Sequence, residues 1–309
     1  MMNELADRTN IFPLLRDFAS AILEENPVHA RFLQRSIADM SDEVRGDLIA
    51  YLEYCVRRGL SLKYLATCYN TIVNDTLGEE FFFLKHGRYR YSTFADVARN
   101  VYFDMEYMRK YMYGLALTAS LWPNHARLSE FFTQTFPRGV GGRYLEVGPG
   151  HGYYFRRALE LGSFDSVLGV DISPASVEMT RDILSDACIS NDSAQVIEAD
   201  FLSFEAAPES FSCIVMGEVL EHVERPTAFL DRIRDLSNAL THIFITTCIN
   251  APAVDHIYLF RSRAELEQLI ISSGFTIAER CYAPYTGKTL EQSEQLNLSI
   301  NVAYVVHKA

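Results

Sequence analysis

Three glycines at alternate positions follow a short apolar run in Tyr144-Leu145-Glu146-Val147-Gly148-Pro149-Gly150-His151-Gly152. Glycine belongs where a backbone turns tightly and a ligand must approach main-chain N–H groups with no Cβ in the way. The order is E-x-G-x-G-x-G. It departs from the dinucleotide fingerprint G-x-G-x-x-G, because Tyr153 stands where that pattern has its third glycine. A second group, Glu218-Val219-Leu220-Glu221-His222, sets two carboxylates and an imidazole at i, i+3 and i+4. On a helical turn these share one face. Further on, Asn250-Ala251-Pro252-Ala253-Val254-Asp255-His256 carries a second imidazole, and either histidine can act as a proton acceptor. Trp122-Pro123-Asn124-His125 adds a third, just past a helix-breaking proline.

Such groups need a frame to hold them. Before the Gly-rich joint at Pro137–Gly142, apolar residues recur with helical spacing. Ile11, Leu14, Leu15, Phe18 and Ile22 form one stripe. Asn26-Pro27 offers a cap and first-turn proline for a second helix carrying Phe32, Leu33, Ile37 and Met40. Ser41 caps a third, with Val44, Leu48, Leu52 and Val56 inward, and Leu62, Leu65, Tyr69 and Ile72 mark a fourth. The many aromatics here read mostly as core. A minority, including Tyr111 and Trp122, are candidates for a substrate wall.

After the joint the period changes. Short strands are expected at Tyr144–Val147, Val167–Val170, Gln195–Glu198, Cys213–Met216 and Ile243–Thr246, alternating with amphipathic helices. That alternation predicts βαβ units and a parallel sheet covered on both faces. Phe275–Cys281 and Ile300–Val306 read as two final strands joined by a polar loop, so at least one should be antiparallel. His256 then falls in a loop at the carboxyl edge of the sheet.

The glycine motif resembles the first motif of the class I S-adenosylmethionine-dependent methyltransferases, and the likeness continues in order. Leu168-Gly169-Val170-Asp171-Ile172-Ser173 is similar to the second-strand motif, whose carboxylate holds the ribose hydroxyls. Glu198-Ala199-Asp200-Phe201 looks like the third, with an acid and an apolar side chain at the adenine. Phe211–Glu218 looks like the fourth. The resemblance implies a Rossmann-like α/β fold with a seven-stranded sheet and an N-terminal all-helical cap. Residues 1–138 would be the substrate-selecting cap and residues 139–309 the cofactor-binding domain. It implies S-adenosylmethionine contacts from Glu146, Gly148, Gly150, Gly152, Asp171, Ile172, Asp200, Phe201 and Glu218. The acceptor is expected to be a small metabolite methylated on oxygen, less readily on nitrogen or carbon. His222 or His256 would take its proton, with His125, Tyr111 and Trp122 near it. A relative of the same fold that binds the cofactor but performs a non-methylating step, such as a cyclisation, is the alternative.

Two readings of E-x-x-E-H stand side by side. In one, Glu218 and Glu221 border the cofactor and His222 orients or supports. In the other, Glu218, Glu221, His222 and His256 ligate Mg²⁺ or Mn²⁺, as similar motifs do in ubiquinone-type O-methyltransferases and small-RNA 2′-O-methyltransferases.

Composition narrows the classes further. The 309 residues are 49% apolar and 22% charged, a globular profile, with a formal net charge of −12. That charge disfavours nucleic acid and anionic membrane surfaces as partners. No apolar run reaches the length of a bilayer span, and the first residues lack the pattern of a secretory signal. Six scattered cysteines, with no C-x-x-C pair, fit a reduced cytoplasmic protein.

Overall fold

Caps and prolines decide where the first helices begin. The computed structural model describes residues 12–186 and 193–309; Ile11 and Cys188 lie outside them. Helix α1 (Pro13–Glu25) buries Leu15, Phe18 and Ile22 as its stripe requires. Asn26-Pro27 opens a tight 3-10 turn, Pro27–His29, rather than the helix itself, and the Asn26 side chain makes no capping bond. Helix α2 (Ala30–Asp39) follows that turn. Ser41 does cap α3 (Asp42–Arg57), accepting the Val44 N–H at 3.3 Å. Val56, expected inward, is exposed in the last turn of α3. Ser61 caps the long α4 (Leu62–His86), which Gly87 ends in the left-handed conformation.

Helix α5 (Phe94–Val97) runs into a π-helical turn, Ala98–Tyr102. Helix α6 (Met105–Leu121) stops at Trp122, and Pro123 starts α7 (Pro123–Thr135). A Cβ on Gly114 of α6 would collide with the Ile72 side chain and the Cys68 carbonyl, so α4 and α6 touch backbone to backbone there. Most aromatics of this half are core, though Phe81 and Phe103 are exposed.

Strands β1 (Arg143–Val147), β2 (Ser166–Asp171), β3 (Ala194–Glu198), β4 (Phe211–Gly217), β5 (Ser237–Ile249), β6 (Phe275–Pro284) and β7 (Ile300–Lys308) form one sheet in the order β3-β2-β1-β4-β5-β7-β6. The inner pairs are parallel and β7 runs antiparallel to both neighbours. The intervening helices are α8 (Tyr153–Leu161), α9 (Pro174–Ser185), α10 (Pro226–Leu236), α11 (Arg263–Ser272) and α12 (Leu290–Gln295). The last of these sits in the loop expected to be merely polar.

The period of two in β1 sorts the two cores. Leu145 and Val147 join the cluster under α10 and α11, while Tyr144 joins the one under α8. Leu128 and Phe132 of α7 pack into that second cluster, so α7 shares the core of the sheet rather than that of the preceding helices. The helical core reaches the sheet at Ala175 and Met179 of α9 and at Ile257. The order reverses between β1 and β4, which places a crevice at the carboxyl ends of those strands.

Candidate active site

All three glycines after β1 adopt positive φ, at 66°, 56° and 76° for Gly148, Gly150 and Gly152, a region in which a Cβ is strained. The Gly148 N–H donates to the Val170 carbonyl at 2.8 Å, and the Gly150 N–H donates to Asp171 Oδ2 at 3.0 Å. Asp171 Oδ1 accepts the Ser173 N–H at 2.8 Å. One carboxylate at the end of β2 thus fixes the bend after β1. Gly148 and Gly150 line a cavity of about 940 Å³. Gly152 does not. A Cβ there would lie 2.6 Å from Ile183 Cδ1, so this third glycine lets α8 pack on α9.

Glu146, Asp171, Ile172, Asp200, Phe201 and Glu218 line the same cavity. Glu146 is buried and accepts the Tyr144 hydroxyl on Oε2. Burial pushes its carboxyl up to about 8 even though that bond pulls the other way. Burial likewise pushes Asp171 up to about 6, against its main-chain donors. Asp200 Oδ1 accepts the Leu202 N–H at 3.0 Å.

The expected helical face of Glu218, Glu221 and His222 does not form. Glu218 has φ 50°, and its N–H donates to the Thr246 carbonyl at 3.0 Å. Only Leu220–His222 makes a 3-10 turn. The main-chain tie to β5 holds Glu218 outside the right-handed helical region, so it does not share a helical turn with Glu221 and His222. Glu221 is fully buried, does not line the cavity, and accepts the Thr247 hydroxyl on Oε2 at 2.7 Å. Among the described residues no donor reaches Oε1 of Glu218 or Glu221. Burial, with the Glu218 charge beside it, pushes the Glu221 carboxyl well above the carboxylate range. Glu221 is therefore the protonated partner.

The histidines do come together. The rings of His222 and His256 meet edge to face, with centroids 4.8 Å apart. His222 Nδ1 lies 3.2 Å from the Tyr102 hydroxyl, 3.1 Å from the Asp255 carbonyl oxygen and 3.5 Å from Asp255 Oδ2. Asp255 Oδ1 accepts the Tyr111 hydroxyl at 2.9 Å. His256 Nδ1 is 2.6 Å from the Ala251 carbonyl oxygen, and burial pushes its imidazole down to about 4. It is neutral near pH 7. Because Nδ1–H is the donor to a carbonyl, Nε2 keeps its lone pair. His125 is also neutral, pushed down to about 4 by burial, with Nδ1 3.0 Å from Thr118 Oγ1. The Trp122 ring, 5.1 Å from His125, donates its N–H to the Tyr69 hydroxyl at 3.2 Å. Both line the cavity.

The four expected metal ligands are not gathered around one point. Ligand atoms of Glu221, Cys248 and His256 lie within 4.8 Å of one another, as do those of His222, Asp255 and His256. Glu218 joins neither triplet among the described residues. Each triplet offers a single carboxylate, and the first includes a thiol. Mg²⁺ and Mn²⁺ ask for an oxygen-rich sphere, which this donor set does not supply.

Tyr102, Asp255 and Glu80 are wall residues that sequence reasoning missed. Asp255 precedes His256, a signal available in the loop. Tyr102 ends a π-helical turn and Glu80 sits within α4, positions that no linear pattern marks.

A family model described as "Methyltransferase domain" matches residues 122–292. That span opens where α6 gives way to α7. No curated protein sequence matches the chain. Among solved structures, geranyl diphosphate C-methyltransferase from Streptomyces coelicolor A3(2), in complex with Mg²⁺, geranyl diphosphate and S-adenosyl-L-homocysteine, is 14% identical with TM-score 0.50, covering 72% of this chain and 92% of that one. The cyclopropane synthase MmaA2 from Mycobacterium tuberculosis is 14% identical with TM-score 0.49, over 61% and 85%. The [4+2]-cyclase SpnF is 14% identical with TM-score 0.49, over 60% and 80%. With more than half of its length matched by that model and a seven-stranded Rossmann-like sheet beneath it, the chain belongs to the methyltransferase-domain family.

Proposed function

We propose that this chain transfers a methyl group from S-adenosylmethionine to an oxygen atom of a small metabolite. One observation carries the reading: the glycine bend, the acids at the strand ends and the paired histidines all line a single cavity. Its volume of about 940 Å³ leaves room for a cofactor and an acceptor side by side. Main-chain groups of Gly148 and Gly150 come close without a Cβ, and Asp171 keeps lone pairs for ribose hydroxyls. Ile172, Asp200 and Phe201 would hold the adenine, and Glu146 and Glu218 the methionine end.

When bound, the sulfonium supplies an electrophilic methyl whose transfer discharges it. The rest is positioning and proton handling. Asp255, itself held by Tyr111, stands at Nδ1 of His222 and leaves Nε2 of that ring to take the acceptor proton. His256 is less suited, since burial holds its basicity low. Ile72, Met112 and Leu115 from the helical part give the cavity an apolar wall. Residues 1–138 then act as the acceptor-selecting cap and residues 139–309 as the cofactor domain, with α7 docked on the latter.

A labelled methyl-transfer assay over a metabolite library, with and without chelator, tests this. The expected result is a labelled product whose rate is unchanged by chelator. Consumption of an acceptor without label entering the product would overturn the reading in favour of a cofactor-retaining cyclase.

A further inference from the structure

Helix α4 gives the cavity one face, Ile72, Val73, Thr76, Leu77 and Glu80, the stripe that helical periodicity puts on one side. Four of these cannot ionise and the fifth is a carboxylate. The preceding residue, Glu79, is buried and answered by Arg90, whose Nε lies 2.7 Å away. Glu80 is half-buried and unanswered: among the described residues its carboxylate makes neither hydrogen bond nor ion pair. Burial raises its carboxyl, which marks the cost of leaving it without a cation. Tyr285 and Thr286, after β6, line the same region, and the Tyr285 phenol is close enough to feel the Glu80 charge. Among the described lining residues there is no lysine, and the one arginine, Arg225, is exposed.

The location along the cavity also follows. Ile72 abuts α6 at Gly114, two residues from Met112, whose Sδ faces Gly150 at the glycine bend. Glu80 is eight residues further along α4, about 12 Å at the α-helical rise. We propose that Glu80 selects the acceptor, and that the acceptor carries a basic nitrogen, an ammonium or guanidinium, at its end remote from the glycine bend. The hydroxyls of Thr76, Tyr285 and Thr286 complete the reception of such a group. An anionic acceptor finds no lysine and no buried arginine among the described lining residues. This rests on reading the cavity as the acceptor site.

Three probes that share one ring test it: tryptamine, tryptophol and indole-3-propionate, ending in an ammonium, a hydroxyl and a carboxylate. Calorimetry on the full chain should give tryptamine at least tenfold tighter than tryptophol, with indole-3-propionate weakest. Glu80→Gln should bring tryptamine to the level of tryptophol while the melting temperature and S-adenosylhomocysteine affinity stay unchanged. Glu80→Lys should favour indole-3-propionate. An unchanged order in Glu80→Gln, or binding of none of the three, overturns the proposal. Failure of S-adenosylhomocysteine to bind, with the tryptamine preference intact and dependent on Glu80, removes the methyltransferase reading and leaves the basic-ligand site.

Discussion

Asp171 is the residue on which the local geometry turns, because it ties the glycine bend to β2 while facing the cavity. Asp171→Ala should weaken S-adenosylhomocysteine binding at least tenfold, a loss of about 1.4 kcal/mol or more; calorimetry giving wild-type affinity would remove the ribose assignment. Glu146 makes a prediction about pH. Its carboxyl titrates near 8 when folded and near 4.5 when free, so the native state holds a proton that the unfolded chain has lost. Stability contributed by that proton is present below 4.5 and disappears as pH rises through 8. Buried neutral histidines such as His256 act the opposite way below 6.5, where unfolding lets them charge. Glu146 is therefore best read between pH 6.5 and 8. There, Glu146→Gln should remove about 2 kcal/mol of the decline in urea-unfolding free energy. A decline equally steep in the variant would contradict the buried protonated carboxyl.

Among the elements, the contact of α4 with α6 sets the width of the cavity wall. Gly114→Ala adds a methyl where the Ile72 side chain and the Cys68 carbonyl already stand. Overpacking of this kind costs about 1–3 kcal/mol, so the thermal midpoint should fall by several degrees; a midpoint equal to wild type would show that the helices part freely. Elements were also the level most legible from sequence. Alternating apolar runs located the five parallel strands predicted, because buried parallel strands leave few other readings. Ser41 announced α3 through its capping bond. The turn after β4 departs from the helix its spacing predicts. A spacing of i, i+3, i+4 says nothing of the main-chain bonds from Glu218 to Thr246, which are non-local and send Glu218 left-handed.

For the whole molecule, the sequence held the motifs in order but not their depth. It could not show that Glu221 lies behind the cavity wall, or that α7 packs on the sheet although it precedes the Gly-rich joint. Both depend on tertiary packing. No helix among the described residues is long and apolar enough to cross a membrane. Three surface pairs link the helical part to α9 and the residue after it: Arg57 with Asp186, Arg58 with Asp182 and Arg109 with Glu178. Exposed as they are, each contributes little; the shared apolar core at Ala175 and Met179 does more.

The central claim is that the bend after β1 holds an adenosyl sulfonium beneath the helices. A crystal soaked with S-adenosylhomocysteine measures it directly. One molecule per chain is expected, its amino-acid end against Gly148 and Gly150 and its ribose on Asp171. An empty bend, or one that takes a diphosphate-bearing nucleotide instead, would contradict it.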